Sequence, residues 1–179
     1  MKPKHLAQRI ETCLSLARLS SCPRRQYGAL IIDPASNVVI SEGYNGGLRG
    51  GSELCGEHTC ERTALGIPSG ERVEIGCVHA EQNAIFNAAR LGRAVLGAWI
   101  IINGEPCLLC AKAIKQAGIT RAICVDGGYT LKAGVDLLRD NGVIVNEVSA
   151  TGDFTKVLAD TVELKHIPVK AITRSRFGG

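Results

Sequence analysis

The stretch AWIIINGEPCLLCAKAIKQAGITRAICV, residues 98–125, decides the fold. Ala98 to Ile102 is an unbroken apolar run, as expected of a strand buried on both faces. Cys107 to Ala117 reads as a helix, and Gly118 stands where a helix C-terminus favours glycine. Ile119 to Val125 is a second apolar strand. The rhythm extends in both directions. Upstream, His79 to Leu91 predicts a helix with Ala84, Ile85, Ala88 and Leu91 on one face and Gly92 as its stop. Downstream, Leu131 to Asp140 predicts a helix ending at Asn141-Gly142, and Val143 to Val148 the last clear strand. Strands and helices that alternate in this way make a sheet covered by helices, parallel in this half.

The first half of the chain reads differently. Residues 4–19 predict an amphipathic helix, with Leu6, Ile10, Leu14 and Ala17 at three- to four-residue spacing. Ser20-Ser21-Cys22-Pro23 breaks it. Gly28 to Ile32 and Val38 to Ile40 flank the turn-forming cluster Asp33-Pro34-Ala35-Ser36-Asn37, which predicts a β-hairpin and makes the whole sheet mixed. Residues 45–78 have little periodicity, many glycines, and Cys55, His58, Cys60 and Cys77. A structureless loop of that length is uncommon in a compact domain. Apolar burial is a poor agent for ordering it, given its composition. Residues 149–179 fit the rhythm poorly and hold either an extra element around 153–168 or an ordered arm. Residues 1–150 are therefore expected to form one domain, and 151–179 a C-terminal extension.

Composition narrows the function. The chain has 179 residues, 45% apolar and 21% charged, which is globular rather than disordered. No apolar run approaches the roughly 20 residues that span a bilayer, and Met1-Lys2-Pro3-Lys4-His5 has no apolar segment behind it. A cytoplasmic protein is expected (host cytoplasm if phage-encoded), with no membrane partner. Net charge is +4, part of it in Lys165, Lys170, Arg174 and Arg176, which read as a solvated basic tail. One Trp, three Phe and three Tyr are too few for a stacking surface, so no nucleic-acid partner is expected. Eight cysteines in a reducing compartment point to metal or catalysis rather than disulfides. Cys13 and Cys124 fall on predicted apolar faces and read as small core residues.

Two segments carry chemistry: His79-Ala80-Glu81 and Pro106-Cys107-Leu108-Leu109-Cys110, each opening a predicted helix. Zinc prefers imidazole nitrogen and thiolate sulfur in tetrahedral geometry. Cys107 and Cys110 are three apart, so the first helical turn brings both sulfurs to one point, where the helix end favours the thiolate. With His79 they make three ligands and leave a fourth position open, as in a catalytic rather than a structural zinc site. Glu81 is not needed as a ligand and is placed to take and return a proton.

H-x-E followed by P-C-x-x-C is the signature of zinc-dependent deaminases. The stretch from about Cys22 to Val148 resembles the cytidine deaminase superfamily and, within it, the deoxycytidylate (dCMP) deaminases of bacterial and phage type. Cys22-Pro-Arg-Arg-Gln-Tyr-Gly28, Gly43-Tyr44-Asn45-Gly46, the Cys-rich insertion with Ile67-Pro68-Ser69-Gly70-Glu71, His79-Ala-Glu-Gln-Asn-Ala84 and Gly97-Ala98 carry the resemblance. It implies a three-layer α/β/α sandwich around a mixed five-stranded sheet, and zinc-dependent deamination of dCMP to dUMP. By the same resemblance Asn45 would hydrogen-bond the deoxyribose, Tyr129 would lie near the 5′-phosphate, and Arg24 and Ala80 would contact substrate. Arg93 and Lys132 are further basic candidates. Family members are often hexameric and regulated by dCTP with Mg²⁺ and by dTTP; Gly46, Gly47 and Arg49 would contribute to that effector site, and Arg90 would lie near a subunit interface. Several carry a second, structural zinc, for which Cys22, Cys55, Cys60 and Cys77 are the ligands to expect, with His58 able to replace one.

Three features depart from the family pattern. Glu105 stands before Pro106 where many dCMP deaminases have a small polar residue, and is similar to the glutamate of tRNA-adenosine and riboflavin-pathway deaminases. Cys77 is unusually close to His79. The segment beyond about residue 150 has no counterpart. Other readings are deamination of dCTP, of a modified cytosine nucleotide or of adenosine in tRNA, and a non-enzymatic zinc-stabilised nucleotide-binding module.

Overall fold

The computed structural model of the chain describes residues 1–51, 55–56, 59–68, 71, 75–126, 132–152 and 154–159. The elements are α1 (Pro3–Ala17), β1 (Gly28–Asp33), β2 (Val38–Tyr44), β3 (Cys55–Gly56), β4 (Thr59–Cys60), α2 (Glu61–Ala64), α3 (Ala80–Arg90), β5 (Trp99–Ile102), α4 (Leu108–Gln116), β6 (Arg121–Val125), α5 (Ala133–Asp140), β7 (Ile144–Val148) and α6 (Thr155–Ala159). Five strands form one sheet in the order β2-β1-β5-β6-β7. β1 runs antiparallel to β2 and β5, whereas β5, β6 and β7 are parallel. The sheet is mixed, as the hairpin and the later strand–helix alternation require.

The apolar runs are continuous because both faces of the sheet are covered. Ala29, Ile31, Ile100, Ile102 and Ala122 pack in one core with Ala80 and Ala84 of α3, Ala111 and Ile114 of α4, and Leu138 of α5. Alternate residues Leu30, Ile32, Trp99, Ile101, Ile123 and Val125 pack in a second core with Leu6, Ile10 and Cys13 of α1 and with Phe154 and Val157. This is the three-layer α/β/α sandwich. Cys13 and Cys124 are buried in it, and burial pushes both thiols up to about 12.

β2 is longer than its apolar run. Pairing continues past Ile40 through Ser41, Glu42 and Gly43 to Tyr44, a stretch whose polar residues and glycine disguise it. The reason is α3, which lies so close that a Cβ on Gly43 would stand 2.4 Å from Ala84 N and 2.6 Å from Ala80 O. Arg93 Nη1 donates to Ile40 O at 2.7 Å, Asn87 Nδ2 to Glu42 O at 2.8 Å and Asn83 Nδ2 to Tyr44 O at 2.8 Å. Alternate carbonyls along the outer edge of β2 are thus satisfied by side chains of α3 and the turn after it, which closes an otherwise open sheet edge.

The stretch 45–78 is an excursion closed at its base. Gly46 and Val78 exchange backbone hydrogen bonds, Val78 N–H to Gly46 O at 2.8 Å and Gly46 N–H to Val78 O at 3.2 Å. Its described part holds the two-residue strands β3 and β4, with Cys55 opposite Cys60, and the single turn α2. Beyond residue 150 the described part of the extra element is α6; residues 160–179, with the rest of the 153–168 span and the basic tail, lie outside the described residues. Arg121, fully buried in β6, anchors α6: its Nη1 donates to Val157 O at 2.8 Å and to Asn146 Oδ1 at 2.7 Å, and its guanidinium lies 4.7 Å from the Trp99 ring centroid.

Candidate metal centre and surrounding site

α3 and α4 begin at the same end of the sheet, and each begins one residue later than the sequence predicts. His79 and Cys107 are the residues immediately before the first helical turn, with extended backbone. His79 N–H donates to Gln82 Oε1 at 3.2 Å, which fixes the entry into α3. Both Cys107 Sγ and Cys110 Sγ lie 3.5 Å from His79 Nδ1. A tetrahedral zinc with Zn–S of about 2.3 Å and Zn–N of about 2.0–2.1 Å separates sulfur from nitrogen by about 3.6 Å. The three donor atoms lie within 4.8 Å of one another, and no other such group occurs among the described residues. The site therefore fits zinc in both donor chemistry and spacing.

A hydrogen bond couples the two thiols. A hydrogen bond from Cys110, against the cost of burial and with help from His79, pushes the Cys107 thiol down to about 3. The Cys110 thiol is raised by that same bond, by burial and by the nearby Glu81 carboxylate. His79 is raised by its hydrogen bond to Cys107, against burial. Glu81 is 5% exposed, and burial holds its carboxyl above the usual range. A proton-accepting group with a raised pKa, beside the donor cluster and outside it, is what acid–base catalysis at neutral pH requires.

The remaining expected residues fall into three groups. Asn45 and Ala80 lie next to the centre. Asn45 is 4% exposed; its Oδ1 accepts from Tyr27 N–H at 2.7 Å and its Nδ2 donates to Arg25 O at 2.9 Å and faces Cys77 Sγ at 3.9 Å. Its amide thus braces the chain leading into β1. The Ala80 methyl is buried in the core, and as the first residue of α3 its N–H has no acceptor within the helix. A second group sits in the excursion or against it. Arg24 Nη1 donates to Ile67 O at 3.0 Å, and Arg24 also donates to the Cys60 sulfur. Burial opposes ionisation of Cys60, but bonds from Thr63 and Arg24 hold its thiol below the usual value. The Cys77 thiol is raised by burial and by Cys22. Gly46 is held by Val78, Gly47 is exposed, and the exposed Arg49 donates to Asn87 Oδ1 at 3.0 Å. The third group, Tyr129, His58 and the Cys55 side chain, lies outside the described residues.

Sequence reasoning missed Asn103, the residue after β5. Its Oδ1 accepts from Gly28 N–H at 2.6 Å and its Nδ2 donates to Gln26 O at 3.1 Å. Asn45 and Asn103 together hold residues 25–28 from both sides, and the Tyr27 ring lies against Gly104. An asparagine directly after an apolar strand, two residues before Glu105-Pro106-Cys107, was the available signal.

Comparison with known proteins agrees with this geometry. Residues 3–126 match the model of the cytidine and deoxycytidylate deaminase zinc-binding region. ComE operon protein 2 of Bacillus subtilis is 32% identical over 139 residues, covering 74% of this chain and 65% of that protein. The deoxycytidylate deaminase of Schizosaccharomyces pombe is 34% identical over 108 residues, covering 60% of this chain and 32% of the yeast protein. That of Enterobacteria phage T4 is 31% identical over 172 residues, covering 76% and 88%. In structure, the dCMP deaminase of cyanophage S-TIM5, solved with dCMP and dUMP, superposes with a TM-score of 0.67 at 27% identity, covering 82% of this chain and 98% of that one.

Proposed function

Since the chain belongs to the cytidine and deoxycytidylate deaminase zinc-binding family, we propose that it converts dCMP and water to dUMP and ammonia. The observation that carries this reading is the His79–Cys107–Cys110 cluster with the buried Glu81 beside it. The likeness to the phage enzyme solved with dCMP and dUMP supports the substrate. His79 Nδ1 and the two sulfurs hold zinc. Zinc at such a site activates water, lowering its pKa to about 7. Glu81 takes a proton from the nucleophile and delivers it to the pyrimidine ring nitrogen and then to the departing amino group. Its burial favours the protonated form between these transfers. Ala80, the residue after His79, contacts substrate in this reading. Glu105, which sets the chain apart from many dCMP deaminases, is engaged by Lys132; this accounts for it without a different substrate.

The reading extends to a second, structural zinc held by Cys22, Cys55, Cys60 and Cys77, with His58 as the substitute for one. In its support, Cys22 and Cys60 both act electrostatically on Cys77, and β3–β4 pairing sets Cys55 opposite Cys60. A homo-oligomer, hexameric by the resemblance, regulated by dCTP with Mg²⁺ and by dTTP through Gly46, Gly47 and Arg49, completes the proposal.

One set of measurements tests it. The zinc-loaded protein is incubated with dCMP, dCTP, deoxycytidine and CMP, and loss of cytosine absorbance is followed with and without dCTP or dTTP as effector. Conversion of dCMP in preference to the others is expected, with Glu81→Gln slower by about 10²–10⁴-fold. Failure to convert any cytosine compound, or full activity of the Glu81 variant, overturns the reading. Two zinc ions per chain are expected in the same preparation; one removes the structural site.

A further inference from the structure

Glu105 stands two residues before Cys107, and its side chain is only 4% exposed. A carboxylate so buried must be paired to keep its charge. Its Oε1 lies 3.1 Å from Lys132 Nζ, and its Oε2 is buried with no hydrogen-bond partner among the described residues. Lys132 is the residue immediately before α5. Its ammonium also meets Glu147 Oε1 of β7, and Glu147 Oε2 accepts from Arg139 Nη2 of α5 at 2.9 Å. Two carboxylates and two cations form a charge-balanced chain from the turn before Cys107 to α5 and β7.

A second contact, independent of charge, grips the same turn. A Cβ on Gly134 would stand 1.9 Å from Pro106 O and 3.1 Å from the Cys107 carbonyl carbon. The first turn of α5 therefore rests directly on the peptide that carries Cys107, and a residue with a side chain would push it away. The two cysteines are held by different means. Cys110 is fixed by burial inside α4; the half-buried Cys107 precedes the helix, its carbonyl accepting from Ala111 N–H at 2.8 Å but its own backbone extended and outside the helical turn.

We propose that Glu105, acting through Lys132, is a positioning residue for the metal centre: it draws the Cys107 turn onto α5 and so keeps the Cys107 sulfur at the point where His79 and Cys110 meet. This rests on the zinc reading above. Loss of a partner that orients a metal ligand typically weakens metal binding about 10–100-fold.

The test uses the zinc-loaded protein and the variants Glu105→Gln, Lys132→Met and the pair together. Zinc release to a chromogenic chelator is timed, and the cobalt-substituted forms are compared by their thiolate-to-metal and d–d absorption bands. Each single variant is expected to release zinc about tenfold faster or more, with altered cobalt bands. The pair is expected to be no faster than the faster single variant, because both break one link. The kcat for dCMP falls, with KM within about twofold. Lys132 is 47% exposed, so its variant carries the test if Glu105→Gln does not fold. Release at the wild-type rate with unchanged cobalt bands, or a change confined to thermal stability, overturns the positioning role. Wild-type protein that binds no zinc overturns the functional reading along with it, whereas wild-type and variants that hold zinc equally well overturn the positioning role alone.

Discussion

Glu81 sits in a part of the molecule that would be more stable without its charge. Burial raises its carboxyl pKa from the ordinary value of 4.5. A group whose folded pKa is raised contributes its stability below the unfolded pKa and loses it as pH climbs through the folded value. In the metal-free protein, then, wild type loses stability relative to Glu81→Gln as pH rises from about 4.5. Thermal melts of both proteins across pH 4–8 are expected to diverge, with the Gln variant ahead by a few degrees at the alkaline end, where about 1 kcal/mol shifts a chain of this size by 2–4 °C. Parallel melts at every pH would mean that burial is not raising this pKa. On the proposed function, the residue lowers stability where it would serve catalysis, as acid–base groups in dry sites do. His79, Glu81, Cys107 and Cys110 were legible in the sequence because their spacing is set within single helical turns. Asn103 was not, because its work is to bond the backbone of a strand 75 residues away.

At the level of elements, the strands that carry unbroken Ile, Val and Ala runs were legible to within two residues at their ends, as were the helices stopped by Gly92 and Gly118, whose φ values of 64° and 77° suit glycine. β2 beyond Ile40 was not, since the residues that make it an edge strand, Ser41, Glu42 and Gly43, erase the apolar alternation. Nor was α6, whose docking depends on a buried arginine from β6. Truncation after Ser149 removes the burial of Phe154 and Val157 and strips Arg121 of its Val157 carbonyl. Each apolar side chain contributes about 1.5–3 kcal/mol when fully buried. The thermal midpoint is therefore expected to drop by about 10 °C. Trp99, the one tryptophan of the chain, reports the loss directly: its emission changes as the Arg121 guanidinium over its ring is released. An unchanged midpoint and an unchanged Trp99 emission would show that α6 does not dock as described.

At the scale of the whole molecule, the sheet brings together what the sequence separates. His79 and Cys110 are 31 residues apart, and they meet because α3 and α4 begin at one end of the same sheet. The alternation of strands and helices was enough to foresee that arrangement. The excursion from Gly46 to Val78 was legible only as an anomaly, since what closes it is a backbone pairing with no side-chain signature. The other flank of α3 has its own consequence. The helix that presents His79 and Glu81 also supplies Asn83 and Asn87 to the rim of β2, so the candidate metal centre and the cover of the sheet edge hang on one helix. On the zinc reading, stripping the metal is expected to loosen the N-terminus of α3, and with it the cover over a row of carbonyls able to template a neighbouring chain. Metal-starved protein is expected to clump before it unfolds, seen as light scattering at temperatures below the midpoint and suppressed by restoring zinc. On the proposed reading, metal-free protein would thereby leave solution ahead of the loaded form.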